Sequence, residues 1–185
     1  MAGRWRMVGR MLPRMPPRPW VPLLLCALAP IALLWPLPMA GGAGLLGAPE
    51  AEVAAHVWGW WAFWAEGPAL AWQTGLLNAP DGLGVQLIDP LNAVLWGIAA
   101  WVGGPVVGQA CVIWLALSVA GAAGWALAVQ AGARGYGPAI GAAAGLACPG
   151  LLSAVVDGTS EGLGVGWVGL QLAVLLSLRH RARWG

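Results

Sequence analysis

The sequence predicts an all-α polytopic membrane protein with about four transmembrane helices and one or two juxtamembrane helices. Hydrophobic residues make up 59% of the 185 residues and charged residues only 9%, against about 25% charged residues in a typical soluble domain. A soluble fold of this size would still expose roughly 30% of the surface of its unfolded chain. Because this chain has too few polar residues to cover such a surface, lipid is the expected solvent.

Positive and negative charges are segregated along the chain. Five arginines lie within the first 18 residues, three lie between residues 179 and 183, and the ninth is Arg134. The seven acids lie between residues 50 and 89 and at positions 157 and 161. Positive residues collect on the cytoplasmic side of membrane proteins, so residues 1–19 are expected to be a basic cytoplasmic N-terminus. The arginines are not interleaved with aromatic residues as a nucleic-acid surface requires, so membrane lipids are the expected partners and nucleic acid is not.

Six apolar segments follow one another, of which we predict that four cross the bilayer. A crossing helix needs about 20 residues, and two of the segments have only 15. Counting those two as juxtamembrane places every arginine inside and every acid outside, which a fifth crossing would prevent. Residues 20–185 then form one transmembrane helical domain with an external loop at residues 41–105. The segments are Trp20–Ala40, Ala51–Ala65, Ile88–Val102, Val106–Ala131, Pro138–Val156 and Gly162–Leu178.

The first apolar segment, Trp20–Ala40, is interpreted as an uncleaved membrane anchor. Its 21 residues are long enough to span the hydrocarbon core. The small residues between Ala40 and Gly44 leave a cleaved signal peptide as the alternative.

The Ala51–Ala65 segment is predicted to lie in the membrane interface. It contains four tryptophans, a residue that prefers the level of the lipid headgroups. At 3.6 residues per turn Val57, Trp60, Trp61 and Trp64 share one stripe, and His56 points toward another side. Elsewhere, the spacings Gly141-x-x-x-Gly145 and Gly162-x-x-x-Gly166 predict close helix packing in lipid.

Two groups of acids are predicted to reach the same external face. Convergent carboxylates can bind a divalent cation through oxygen, or one of them can accept a proton from an attacking hydroxyl. Each group also has an interpretation without chemistry: acids at a helix N-terminus, turns at Pro80-Asp81-Gly82 and at Asp157-Gly158, and tryptophans that anchor the chain in the interface. The acids concerned are Glu50, Glu52, Asp81, Asp89, Asp157 and Glu161.

A series of short motifs resembles the N-terminal part of bacterial membrane proteins of the GT-C glycosyltransferase superfamily. The resemblance covers roughly residues 45–178. It rests on four pieces of sequence: His56-x-Trp58-x-x-Trp61, Asn78-Ala79-Pro80-Asp81-Gly82, Asp89-Pro90-Leu91-Asn92-Ala93, and Pro149 followed by Gly158-Thr159-Ser160-Glu161.

The resemblance implies an enzyme of the bacterial inner membrane that transfers sugars from a polyprenyl-phosphate donor on the external face. It implies Glu50 and Glu52 as catalytic acids, and Asp157 and Glu161 as a second acidic motif. From the chemistry of their carboxylates, Asp157 and Glu161 are the candidate ligands of a divalent metal, Mg²⁺ or Mn²⁺. The substrate-binding residues that the resemblance implies are His56, Trp61, Asp81, Asp89 and Asn92.

This chain departs from the pattern of the family in two respects. The acid pair is Glu-x-Glu rather than the commoner form with Asp, and the later helices are absent from the 185 residues. An inactive fragment is therefore one expectation. The competing functions are a transporter or flippase-like module, and a structural membrane protein without catalytic activity.

Overall fold

The computed structural model describes residues 20–34, 53–66, 90–157 and 161–182, and throughout these ranges the ordered elements are helices. The all-α prediction is confirmed. In chain order the elements are α1 (Trp20–Leu33), α2 (Val53–Glu66), α3 (Pro90–Gln130), α4 (Gly137–Leu146), α5 (Pro149–Asp157), a 3₁₀ helix (Glu161–Gly164) and α6 (Val165–Ala182).

Three stretches of helix are long and apolar enough to cross a membrane. They are Pro90–Gln130, Gly137–Asp157 and Gly162–Arg179. The helix α1 is apolar but has only 14 residues, and the remainder of the predicted first segment, residues 35–40, lies outside the described residues. The chain is therefore a polytopic helical membrane protein, as its composition predicted.

The long helix α3 is broken at Gly104. Its backbone there has φ 83° and ψ 174°, a conformation that favours glycine, and Pro105 follows without an N–H to continue the helix. We call residues 90–103 the short arm and residues 105–130 the long arm. The break confirms the prediction that Ile88–Val102 and Val106–Ala131 are separate segments.

The two arms of α3 fold back on each other. In a straight helix residues 96 and 108 would be about 18 Å apart. Here a Cβ built on Gly108 would lie 2.8 Å from Cδ1 of Trp96 and 2.9 Å from Cβ of Ala100. The indole N–H of Trp96 also donates to the carbonyl of Pro105, with the two atoms 3.1 Å apart. The arms therefore form a helical hairpin.

The predicted segment Pro138–Val156 is not one helix but two. The helix α4 ends at Leu146, and α5 begins at Pro149. Proline lacks an N–H, and it disfavours the helical conformation in the residue before it, here Cys148. Together α4 and α5 still make a 21-residue span.

The long arm packs against α4 through glycines. A Cβ on Gly141 would lie 2.6 Å from both the carbonyl oxygen of Gly124 and Cβ of Ala128, and Gly145 faces the backbone of Ala120. The contacts pair later residues of α4 with earlier residues of the long arm, so the two helices are antiparallel. The predicted Gly141-x-x-x-Gly145 packing motif is confirmed.

The helix α6 packs on the long arm in the parallel direction. Gly166 lies against the backbone of Ala116 and Ala120, and Gly169 lies against Ala123. The long arm is thus the central helix, with α4 antiparallel to it and α6 parallel to it. The other glycine of the second motif, Gly162, packs against Ala154 of α5 instead.

The helix α1 completes the bundle. The indole N–H of Trp114 on the long arm donates to the carbonyl of Ala27 at 2.8 Å. Cys26 is buried, and its Sγ lies 3.4 Å from the position of a Cβ on Gly121. The long arm therefore contacts α1 as well as α4 and α6.

We predict that Gly141→Ala destabilises the bundle by about 1–3 kcal/mol, because an added Cβ forces the long arm and α4 apart. Gly150→Ala is the matched control, since a Cβ at Gly150 meets no atom within 4 Å. Thermal unfolding in detergent measures both variants. Equal melting temperatures for both would contradict the predicted role of the close contact.

Candidate functional site

The helix α2, which carries His56 and Trp61, packs against the short arm of α3. The indole N–H of Trp64 donates to the carbonyl of Ala93 at 2.7 Å, and its ring lies directly over Gly97, where no side chain could fit. The rings of Trp60 and Trp96 lie 6.4 Å apart at 44°. Aromatic contacts and one hydrogen bond thus fix α2 to the beginning of α3.

The tryptophan stripe predicted for α2 is divided between two environments. Val57 and Trp60 are buried against α3, whereas Trp61 is 47% exposed. His56 is half-buried and adjoins the buried Val57. Part of the stripe therefore contacts protein, and Trp61 is left with an accessible ring.

Asn92 lies in the first turn of the short arm and is only 2% exposed. Its amide points into the protein, because the neighbouring Ala93 and Trp96 on the same side are also buried. Buried polar groups require hydrogen-bond partners, and Asn92 has one or more polar interactions. Of the predicted substrate-binding residues, Asn92 would therefore act from within the core.

Asp157 ends α5 with an exposed side chain. The hydroxyl of Ser153, one turn earlier, donates to Oδ2 of Asp157 at 2.6 Å. An acid at a helix C-terminus faces the negative end of the helix dipole, a placement that is unfavourable by a few tenths of a kcal/mol or more. The hydroxyl orients the carboxylate and leaves further lone pairs for a cation or a hydroxyl.

Glu161 begins the 3₁₀ helix that follows α5, so Asp157 and Glu161 belong to consecutive elements. The side chain of Glu161 lies outside the described residues. The predicted pair of metal ligands therefore stays a prediction. Among the residues that the structure describes, no group of three or more His, Cys, Asp and Glu side chains could hold a metal.

A single buried core joins the elements that carry or adjoin the predicted residues. One hydrophobic cluster includes residues of the long arm together with residues of four other elements. These are Val57 and Trp60 of α2, Ala93 and Trp96 of the short arm, Leu151 and Ala154 of α5, and Leu163 of the 3₁₀ helix. In the sequence, Glu50 and Glu52 precede α2 directly, Asp89 precedes the short arm, and Asp157 and Glu161 are in α5 and the 3₁₀ helix.

The remaining predicted residues lie outside the described ranges. They are Glu50, Glu52, Asp81 and Asp89. The sequence predicts that Glu50 or Glu52 shares a cavity with Asp157 or Glu161, and this stays a prediction. A shared cation requires their carboxylates to lie within about 10 Å of each other, because metal–oxygen distances are short.

Sequence reasoning missed Gln109, which is 3% exposed in the long arm and has a polar interaction inside the protein. The signal was present, because Gln109 is the first side-chain amide in a long apolar segment. Such residues in membrane helices face the bundle interior. Gln109 and Asn92 are the buried polar side chains of the part of the chain that is described.

Comparisons with protein-family models, with curated proteins and with solved structures found no match.

We predict that Trp64→Phe loosens α2 from the short arm and lowers the free energy of unfolding by about 1 kcal/mol, the typical net contribution of one hydrogen bond. Trp61→Phe is the matched control, because Trp61 and Trp64 are 47% and 48% exposed and the described structure gives Trp61 no comparable bond. Urea unfolding in detergent compares them. A loss that is as large for Trp61→Phe would mean that the hydrogen bond is not responsible.

Proposed function

We propose that this chain is part of a membrane glycosyltransferase that uses a polyprenyl-phosphate sugar donor at the external face of a bacterial inner membrane. The observation that supports this best is the common core of α2, the short arm, α5 and the 3₁₀ helix. In the sequence, most of the candidate acids stand within these elements or directly before them. The resemblance of the motifs to GT-C enzymes supplies the reaction class.

In the proposed reaction Glu50 or Glu52 accepts the proton of an acceptor hydroxyl. The hydroxyl oxygen forms a bond to the anomeric carbon of the sugar, and the bond from that carbon to the donor phosphate oxygen breaks. Polyprenyl phosphate leaves with the electron pair. A positioned general base typically contributes about 10²–10⁴-fold to the rate of such a step.

Asp157 and Glu161 are the proposed ligands of a divalent cation, Mg²⁺ or Mn²⁺. The chemistry of the donors fits, because such hard cations take carboxylate oxygens, and the exposed carboxylate of Asp157 is held in place by Ser153. A cation there would supply positive charge beside the donor phosphate.

The remaining proposed residues would bind and orient the substrates. The exposed ring of Trp61 offers a face on which a sugar can stack, and His56, Asp81 and Asp89 offer hydrogen-bond partners. Asn92, buried at the start of the short arm, would hold that arm in position.

The proposal requires Asp157 outside the cell and Arg134 inside. In a chain whose Cys26, Cys111 and Cys148 are replaced by alanine, Glu52→Cys and Asp157→Cys should react with an impermeant maleimide added to intact cells. Arg134→Cys and Arg181→Cys should react only after the membrane is opened. Labelling of Arg134→Cys from outside would show that the four-crossing topology is wrong.

The proposed donor gives a second test. We expect the chain in lipid nanodiscs to retain a polyprenyl phosphate at least ten-fold better than the polyprenol of equal length, because the phosphate would be held near Asp157 and Glu161 through Mg²⁺. Native mass spectrometry measures retention. The double variant Asp157→Asn, Glu161→Gln should lose the preference, and Glu66→Gln removes the same type of charge from the end of α2 as a control. Equal retention of both lipids by the unaltered chain would refute the proposed donor.

The same preparation separates binding from chemistry. Glu52→Gln should keep the preference for polyprenyl phosphate but stop its release from a polyprenyl-phosphate-linked hexose, without lowering the amount of protein in the membrane. Unchanged release in both Glu50→Gln and Glu52→Gln would remove these residues from the mechanism. Binding without release by the unaltered chain would favour a flippase-like module.

A further inference from the structure

The short arm of α3 exposes apolar side chains and buries its one amide, the opposite of a helix at a water surface. Asn92 is its only side chain with an amide, hydroxyl or charge, and Asn92 is buried. The exposed side chains lie at positions 91, 94, 98, 101 and 102, which share one face about 100° wide at 3.6 residues per turn. They are Leu91 (49% exposed), Val94 (38%), Ile98 (60%), Trp101 (90%) and Val102 (84%).

The opposite face of the short arm is fully occupied by protein. Ala93 is 0% and Trp96 4% exposed, and Trp64 of α2 and Gly108 of the long arm cover this side. The two indole N–H bonds fix the rotation of the arm about its own axis. The apolar stripe therefore points away from the protein because the other face is anchored.

The surroundings of the stripe match lipid better than water or a second protein. No charged residue lies between Asp89 and Arg134, and the first turns of the long arm also expose apolar side chains, Val107 and Cys111. Protein interfaces carry a polar rim around their apolar centre, whereas the residues that flank the stripe on the arm are Leu95, Gly97, Ala99 and Gly103.

The length of the short arm determines how it can meet the bilayer. Its 14 residues span about 21 Å, less than the hydrocarbon thickness of about 30 Å. The arm can lie in the bilayer beside the long arm, but it is too short to cross. Apolar segments of 10–14 residues are more often buried in protein, re-entrant or interfacial than membrane-spanning.

We propose that the short arm is embedded in the bilayer beside the long arm, with acyl chains covering the stripe from Leu91 to Val102. Because the short arm cannot cross the membrane by itself, the 41 residues of α3 contain at most one crossing, that of the long arm. The short arm is immersed in hydrocarbon rather than resting at the headgroups, and its one amide faces the protein. This inference is independent of the proposed glycosyl transfer.

Spin labels on single cysteines test the embedding. The chain, with its three native cysteines replaced by alanine, is reconstituted in vesicles of phosphatidylethanolamine and phosphatidylglycerol and labelled at Ile98→Cys or Val102→Cys. We expect collisions with oxygen to exceed collisions with a water-soluble nickel chelate several-fold at both positions. Val168→Cys on α6 is the lipid-facing control and Tyr136→Cys in the α3–α4 turn is the control outside the hydrocarbon, since both parent residues are well exposed, at 67% and 87%.

The outcomes separate three environments. A ratio like that at position 168 supports the embedded arm, and a ratio like that at position 136 places the arm outside the hydrocarbon and overturns the proposal. Low collision rates with both reagents would mean that protein, such as a second copy of the chain, covers the stripe, which also overturns it. Photolabelling of the unaltered chain with a diazirine phospholipid repeats the test without substitutions, and absence of label between residues 91 and 102 would contradict the proposal.

Discussion

The close approach of three backbones around Ala120 is the contact on which the rest of the bundle depends. Gly145 of α4 lies against the carbonyl of Ala120, and Gly166 of α6 lies against its backbone from another side. Lipid provides no hydrophobic force between helices, so association relies on van der Waals packing and hydrogen bonds, which small residues allow at short range. The long arm becomes the central helix because its alanines and glycines leave room on several sides.

The break at Gly104 has consequences for the other end of the bundle. It turns the short arm back on the long arm, and the Trp96 indole closes the turn on the carbonyl of Pro105. Proline at position 105 supplies no N–H that could continue the helix across the break. The reversed arm then provides the surface on which α2 docks through Trp60 and Trp64. The backbone conformation of Gly104 thus determines how the short arm, the long arm and α2 are arranged relative to one another.

Two buried amides and one carboxylate in the described part of the chain lie in different surroundings. Asn92 and Gln109 are turned inward, where protein groups can satisfy their amides, while Asp157 lies at a helix end with its carboxylate exposed and bonded to Ser153. Unsatisfied polar groups are costly in hydrocarbon, so amides within apolar helices point into the protein and carboxylates are confined to ends. Any site built from the carboxylates must therefore form at a margin of the bundle.

The sequence by itself determined the class of fold, the apolar segments, the break between residues 102 and 106, and the packing role of Gly141 and Gly145. These follow from local composition, from the length of a bilayer crossing and from the absence of a side chain. It also selected the candidate acids, because charges are rare in such a chain. Only the tertiary structure decided that the break folds α3 back on itself and that Trp60 is buried while Trp61 is exposed. The reason is that these outcomes depend on which face of each helix meets a neighbour, and periodicity within one segment carries no information about the neighbour.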